Sequence, residues 1–184
     1  EKEDSSDFNL DALEEEFQKE LNKFKIEGRF YDAEKPCKTI IAVSKEGHCL
    51  NDLIHRWKIG SLPIDIQAVI SNHEVSKDLV EWNKIPFHYL PVTSDTKQNQ
   101  EKMFKNIYLE TGCELIILAR YMQILSSEFI KGIEGKCINI HHSFLPGFKG
   151  AKPYHQAHER GVKIIGATAH YVTAELDEGP IIGQ

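Results

Sequence analysis

The chain has 184 residues, 41% of them apolar and 27% charged, with a net charge of −6. That size and balance suit one globular domain with a real core and a short appendage. No apolar run approaches the roughly 20 residues of a membrane helix, no signal peptide is visible, and no basic block points to nucleic acid. A membrane partner and a nucleic-acid partner are therefore excluded, and a cytoplasmic setting, with an organelle as the alternative, is expected.

The acidity is local. Residues 1–34 carry 12 acidic and 5 basic side chains, a balance of −7 that leaves the remainder at +1. Residues 1–8 read as disordered. Leu10, Leu13, Phe17, Leu21 and Phe24 then recur at helical spacing, with Glu14, Glu15, Glu16 and Lys19 on the other faces. This predicts an amphipathic helix whose apolar stripe needs cover. KIEGRFY (25–31) reads as a short strand and DAEKP (32–36) as a linker, so the domain boundary falls at 35/36.

From there strands and helices alternate. CKTIIAVS (37–44) is a continuous apolar strand, followed by a helix near 48–59. IDIQAVIS (64–71) precedes a short helix near 75–83; PFHYLPV (86–92) precedes a helix near 97–111. ELIILA (114–119) leads to a helix near 126–132, and CINIH (137–141) to one near 153–160. KIIGATAHYVT (163–173) and PIIGQ (180–184) read as the last strands. Short, wholly apolar strands between helices predict an α/β fold, a mainly parallel Rossmann-like sheet with helices on both faces. Cys37, Cys49, Cys113 and Cys137 lack CxxC spacing and read as reduced thiols, three of them opening apolar runs. Trp57 and Trp82, on helical stretches, read as packing residues.

In such sheets ligands bind beyond the carboxyl ends of the strands. The unusual polar residues sit there: Ser44 to His48, Arg120 to Gln123, and Asn139 to Ser143. Asn139 and His141 are two apart on a strand and share a face. An amide can stabilise an oxyanion, and an imidazole can move a proton near neutral pH. The plainer alternative is a histidine bonded locally at a strand end. By the same alternation His142 points to the opposite side. Asp177, in LDEGP (176–180), reads alone as a turn residue; beside an Asn and a His it could orient the imidazole or an attacking water.

The set is more specific than its parts. An NIH strand end, an SFLP-x-x-x-G loop, an H-x-V strand and an L-D-x-G-P turn resemble the formyltransferase fold of enzymes that use 10-formyltetrahydrofolate. The resemblance covers about residues 36–184. It is strongest to the formyltetrahydrofolate deformylase family, through SKEGHCLNDLIHRW (44–57), LARYMQIL (118–125), NIHHSFLP (139–146), KGAKPYHQA (149–157) and GVKIIGATAHYVT (161–173). It implies catalysis by Asn139, His141 and Asp177. It also implies a folate site formed by Arg120, Tyr121, Met122, Ile124, Leu125, His142, Ser143, His170 and Glu175. Arg120 would either face that loop or pair with an acidic side chain. The implied reaction is hydrolysis of 10-formyltetrahydrofolate to formate and tetrahydrofolate, with the folate as substrate, no cofactor and no metal, and a homo-oligomer is expected.

Two other functions stay open. A formyltransferase of the glycinamide ribonucleotide type would need a phosphate cradle of form G-x-G-S-N after the first strand. Here that stretch is Lys45, Glu46, Gly47, His48 and Cys49, with one glycine and a repelling carboxylate. The other is a non-catalytic folate-binding fragment. The resemblance implies an N-terminal ACT-type sensing domain of which residues 9–31 match only a last helix and strand. It also implies a helix beyond Gln184, so an exposed apolar patch is expected. His155 and His158 invite a metal reading without an acidic or cysteine ligand at helpful spacing. Cys49 beside His48 or His55 is read as a buried, inert thiol rather than a nucleophile. Lys149, Lys152, Arg160 and Lys163 are either a solvated face or a seat for a folate glutamate tail.

Overall fold

The computed structural model describes residues 10–28, 32, 35–150 and 152–184. The expected disordered start at 1–8 and residues 29–31 of the expected strand lie outside the described residues. The chain divides into two compact units between Pro36 and Cys37. In the first, helix α1 (Leu10–Phe24) forms as its periodicity predicts. Its stripe is only partly covered: Phe17 and Phe24 are 48% and 72% exposed. Residues 25–28 form no strand.

The second unit runs β1 (Cys37–Val43), α2 (His48–Lys58), β2 (Ile64–Ser71), α3 (Lys77–Trp82), β3 (Phe87–Tyr89) and α4 (Lys97–Glu110). It continues through β4 (Leu115–Leu118), α5 (Ser127–Ile130), β5 (Cys137–His141), α6 (Pro153–Glu159), β6 (Thr168–Tyr171) and β7 (Ile181–Gly183). The seven strands form one sheet in the order β3-β2-β1-β4-β5-β6-β7. The first five are parallel, and β6 and β7 are antiparallel additions at the β5 edge.

Alternation along β1 divides the core. Ile40 and Ala42 pack with Phe104 and Tyr108 of α4 and Phe129 and Ile130 of α5. Ile41 and Val43 pack on the opposite face with Leu50 and Ile54 of α2 and Val80 of α3. Helices therefore cover both faces, and continuous burial makes each central strand wholly apolar. Trp57 packs half-buried against the α2 side. Trp82 is a correction: it is 84% exposed, because α3 turns it away from the sheet while Val80 fills the core.

The last strands explain how the site closes. The segment 142–167 leaves and re-enters at the same end of the sheet, since His141 pairs with Thr168. Of the predicted strand 163–173 only Thr168–Tyr171 forms a regular strand, and it runs antiparallel to β5. Residues 172–180 then double back to feed β7, whose Ile181 and Ile182 are about half exposed. No helix among the described residues is long and apolar enough to cross a membrane.

Candidate active site

The first strand of the core unit sets the first wall. Ser44, just beyond β1, is buried; its hydroxyl donates to Asn72 Oδ1 at 2.6 Å and accepts from the Met122 N–H at 2.9 Å. That pair fixes residues 119–126, which have no regular structure of their own. Two side chains of α4 complete the clamp. Gln100 donates to the Tyr121 hydroxyl at 2.8 Å, and Glu101 accepts from the Ser126 N–H at 2.8 Å and from the Ser126 hydroxyl. Gln100 and Glu101 are both buried. Ser126 in turn caps α5 by accepting from the Phe129 N–H. None of these three contacts was visible in the sequence, where Gln100 and Glu101 sit in a polar helical stretch. A buried Gln-Glu pair has no signature of its own there.

Strand β5 builds the second wall. Asn139 and His141 lie on the same face, as their spacing requires. Their register partners on β6 are His170 and Thr168. Asn139 Nδ2 lies 3.2 Å from His170 Nε2, and His170 Nδ1 lies 2.9 Å from the Tyr171 carbonyl oxygen. A carbonyl only accepts, so Nδ1 of a neutral His170 carries the proton and Nε2 accepts from the Asn139 amide. One N–H of Asn139 is thereby used for orientation and the other is left for a ligand.

The same reasoning fixes His141. Its Nε2 donates to the Phe148 carbonyl oxygen at 2.8 Å, so Nδ1 of the neutral ring is a lone pair. That nitrogen faces Asp177 Oδ2 at 3.6 Å, and Asp177 Oδ1 lies 3.7 Å from His170 Nε2. Asp177 Oδ2 also accepts from the Gly150 N–H at 2.9 Å. All three side chains, His141, His170 and Asp177, are at least 90% buried. Asp177 has φ +57°, a left-handed conformation that short carboxylate side chains tolerate. The turn reading of LDEGP is thus correct for the backbone, while the side chain faces the histidines. Gly179 enforces the turn, because a Cβ there would lie 1.7 Å from the Tyr171 carbonyl oxygen.

Between the walls lies a cleft of about 310 Å³. Of the twelve residues expected from the sequence, eleven line it: Arg120, Tyr121, Met122, Ile124, Leu125, Asn139, His141, His142, His170, Glu175 and Asp177. Met122 and Ile124 are more than half exposed and give the cleft an apolar rim. Tyr121 is floor: its ring is edge-on to Phe104 and its hydroxyl is taken by Gln100. Burial pushes that hydroxyl up to about 12.

Ser143 is a correction. It is fully buried and does not line the cleft, because the chain turns inward there and its carbonyl accepts from Thr168 Oγ1 at 2.7 Å. His142 is another. Strand alternation pointed it to the opposite side, but β5 ends at His141 and the turn swings His142 into the cleft. Its ring centroid is 5.4 Å from that of His141. Burial, and then the Arg120 charge, lower the His142 pKa to about 4, so it is neutral at physiological pH. Arg120 pairs with no carboxylate among the described residues; its Nε and Nη1 are shielded from solvent with no hydrogen-bond partner.

The remaining expectations fare differently. Cys49 is half-buried rather than buried, and burial raises its pKa. Lys149 pairs with Glu178 at 2.7 Å, and Arg160 lies 5.3 Å above the Phe148 ring. Those two cations are therefore already engaged within the protein. Among the described residues, no group of three or more His, Cys, Asp or Glu is arranged to hold a metal ion.

An open, mostly parallel sheet with a cleft lined by Asn139, His141 and Asp177 at the carboxyl end of β5 places the protein among the α/β folds that bind ligands at their strand ends. Comparison with known proteins narrows the class. Residues 37–184 match the formyl transferase family, and the chain belongs to it. It is 52% identical over 181 residues to the formyltetrahydrofolate deformylase of Corynebacterium sp. (strain P-1), covering 98% of this chain and 63% of that protein. It is 49% identical to the formyltetrahydrofolate deformylase of Escherichia coli (strain K12), covering 79% of this chain and 52% of that protein. The chain thus spans about half to two thirds of the length of these relatives. The structure of a formyltetrahydrofolate deformylase from Pseudomonas syringae pv. tomato superposes with a TM-score of 0.91 at 45% identity, over 96% of this chain and 59% of the other. Glycinamide ribonucleotide transformylase 1 from Symbiobacterium toebii superposes with a TM-score of 0.76 at 26% identity, over 85% and 74%.

Proposed function

We propose that this chain is the catalytic part of a formyltetrahydrofolate deformylase. The observation that carries this reading is the convergence of Asn139, His141 and Asp177 in one cleft. The similarity to deformylases at about half identity supports the substrate: 10-formyltetrahydrofolate, with its pterin against the 119–126 loop and the apolar rim at Met122 and Ile124.

The geometry supplies each part of a hydrolysis. The free N–H of Asn139 polarises the formyl oxygen and holds the oxyanion that forms when water adds to the carbonyl carbon. His141 Nδ1, the unprotonated nitrogen, takes the proton from that water, and the Asp177 carboxylate stabilises the resulting imidazolium. The proton then passes to the folate nitrogen as the carbon–nitrogen bond breaks, and the second water proton leaves with ionisation of formic acid. Formyl amide and water give amine, formate and a proton; atoms and charge balance with water as the only co-reactant. His170 does not act on substrate here. It orients the Asn139 amide.

The second reading is transfer of the formyl group to an amine, favoured by the structural likeness to glycinamide ribonucleotide transformylase. Glu46 in the turn after β1 argues against a phosphate-bearing acceptor, because its charge repels one. The test is incubation of the chain with 10-formyltetrahydrofolate without an acceptor, following formate and tetrahydrofolate. Release by the wild type that Asp177→Asn loses supports the hydrolase; release only with an added amine acceptor establishes transfer instead.

A further inference from the structure

The cleft holds one strong cation that the proposed hydrolysis does not use. Arg120 follows β4 in a left-handed conformation, φ +60°, which costs a branched or long side chain energy unless the surroundings demand it. Its neighbours hold it there. The Ser44 N–H donates to the Arg120 carbonyl oxygen at 3.3 Å, the Met122 N–H donates to Ser44, and Tyr121 is locked by Gln100. Leu118 pairs with Asn139 in the sheet, so Arg120 leaves β4 level with the end of β5.

Arg120 lines the cleft together with Asn139, His141, His142 and Asp177. It follows β4, beside the point between β1 and β4 where the strand order reverses. Two of its nitrogens are out of solvent and unpartnered. The one buried carboxylate of the cleft, Asp177, accepts from the Gly150 N–H and faces His141 and His170, and makes no ion pair with Arg120. A shielded guanidinium with no counter-charge is costly unless a ligand completes it.

We propose that Arg120 binds the formate released by the reaction. This rests on the hydrolase reading and extends it. Hydrolysis creates a carboxylate where none existed, whereas transfer to an amine yields a neutral formamide. A cation lining the same cleft as Asn139, His141 and Asp177 therefore favours the hydrolytic outcome specifically. The guanidinium gives charge-assisted hydrogen bonds to a carboxylate, which are about twice as strong as neutral ones. A phosphate is the other small oxyanion that such a group could hold. Inorganic phosphate is therefore carried through the test as the competing ligand.

The experiment measures binding of ¹³C-formate by NMR titration to the tetrahydrofolate-bound chain, with inorganic phosphate as a parallel ligand. It uses the wild type, Arg120→Gln and Arg120→Gly. The glycine variant relieves the left-handed backbone, so it keeps the test valid should the glutamine variant fold poorly. Formate affinity is expected to fall about ten- to a hundredfold in both variants, the worth of one or two charge-assisted hydrogen bonds. Equal affinity in wild type and variants, or no formate binding by the wild type, would overturn the proposal. So would phosphate binding more tightly than formate through Arg120, which would make the cleft an acceptor-phosphate site. Turnover of 10-formyltetrahydrofolate is followed separately. Formate release with unchanged formate affinity in the variants sinks only the Arg120 assignment; Arg120-dependent formate binding without any release sinks the hydrolase reading and leaves an anion site.

Discussion

The two walls of the cleft differ in how far their polar groups are satisfied. On the β5–β6 wall, the Asn139 amide meets His170, His141 meets the Phe148 carbonyl, and Asp177 meets the Gly150 N–H. On the β4 wall, Arg120 Nε and Nη1 are shielded from solvent with no hydrogen-bond partner among the described residues. Groups that are oriented before substrate arrives pay no reorganisation during reaction, which suits residues that stabilise a transition state. A group left unsatisfied gains most from a ligand, which suits binding. The comparison assigns chemistry to one wall and recognition to the other, and each assignment can be broken separately.

The largest effect is expected at Asp177. Asp177→Asn keeps the shape and the contact with the Gly150 N–H, provided the amide oxygen takes that side, but removes the charge that stabilises a protonated His141. Turnover of 10-formyltetrahydrofolate is expected to fall about 10²- to 10⁴-fold, the range of a positioned acid–base group, with folate binding retained. A fall in binding of the same size, with unchanged turnover at saturation, would move Asp177 to the recognition side. Next comes Asn139→Ala, with an expected loss of about 10²- to 10³-fold in kcat for one oxyanion donor. His170→Phe should reproduce only part of that loss, since it removes the orientation of the amide and not the amide itself. Equal losses in the two variants would mean that His170 acts on substrate directly.

What the sequence showed and what it hid follow from the range of each interaction. Asn139 and His141 were legible because a two-residue spacing on a strand fixes a common face. His142 misled because the alternation holds only inside the strand, and β5 stops one residue earlier. Asp177 has only a turn signature locally; its meeting with His141 depends on residues 172–180 doubling back, and family resemblance supplied it where periodicity did not. The five parallel strands were legible as apolar runs. The antiparallel direction of β6 was not, because both directions of a strand give the same residue pattern and only the closure of 142–167 decides. Ser143 was expected in the site from the family resemblance, yet an inward turn buries it.

A smaller effect is expected from the clamp on the β4 wall. Ser44→Ala removes the hydroxyl shared by Asn72 and the Met122 N–H. Leaving two buried polar groups unpaired costs about 1–3 kcal/mol. Because the hydroxyl touches the loop and not the reacting groups, the change should appear mainly as a higher KM and a lower Tm, with kcat close to wild type. A kcat effect as large as that of Asn139→Ala would join the two walls into one catalytic unit and erase the distinction drawn between them.

The smallest effect sharpens the comparison through pH. His142 lies between the walls, and burial, followed by Arg120, lowers its pKa to about 4 from an ordinary 6.5. The unfolded chain therefore binds a proton at this position between about pH 6.5 and pH 4 that the folded chain refuses. Stability must fall as the pH drops through that window, and be indifferent to His142 above it. His142→Gln should flatten the decline of Tm with falling pH between 6.5 and 4, leaving Tm at pH 8 nearly unchanged. Arg120→Gln should flatten it less, since removing one charge lets the His142 pKa rise while burial still holds it down. An Arg120→Gln curve as flat as that of His142→Gln would make the guanidinium the dominant influence on His142. An Arg120→Gln curve superposing on wild type would place the guanidinium farther from β5 than the cleft allows.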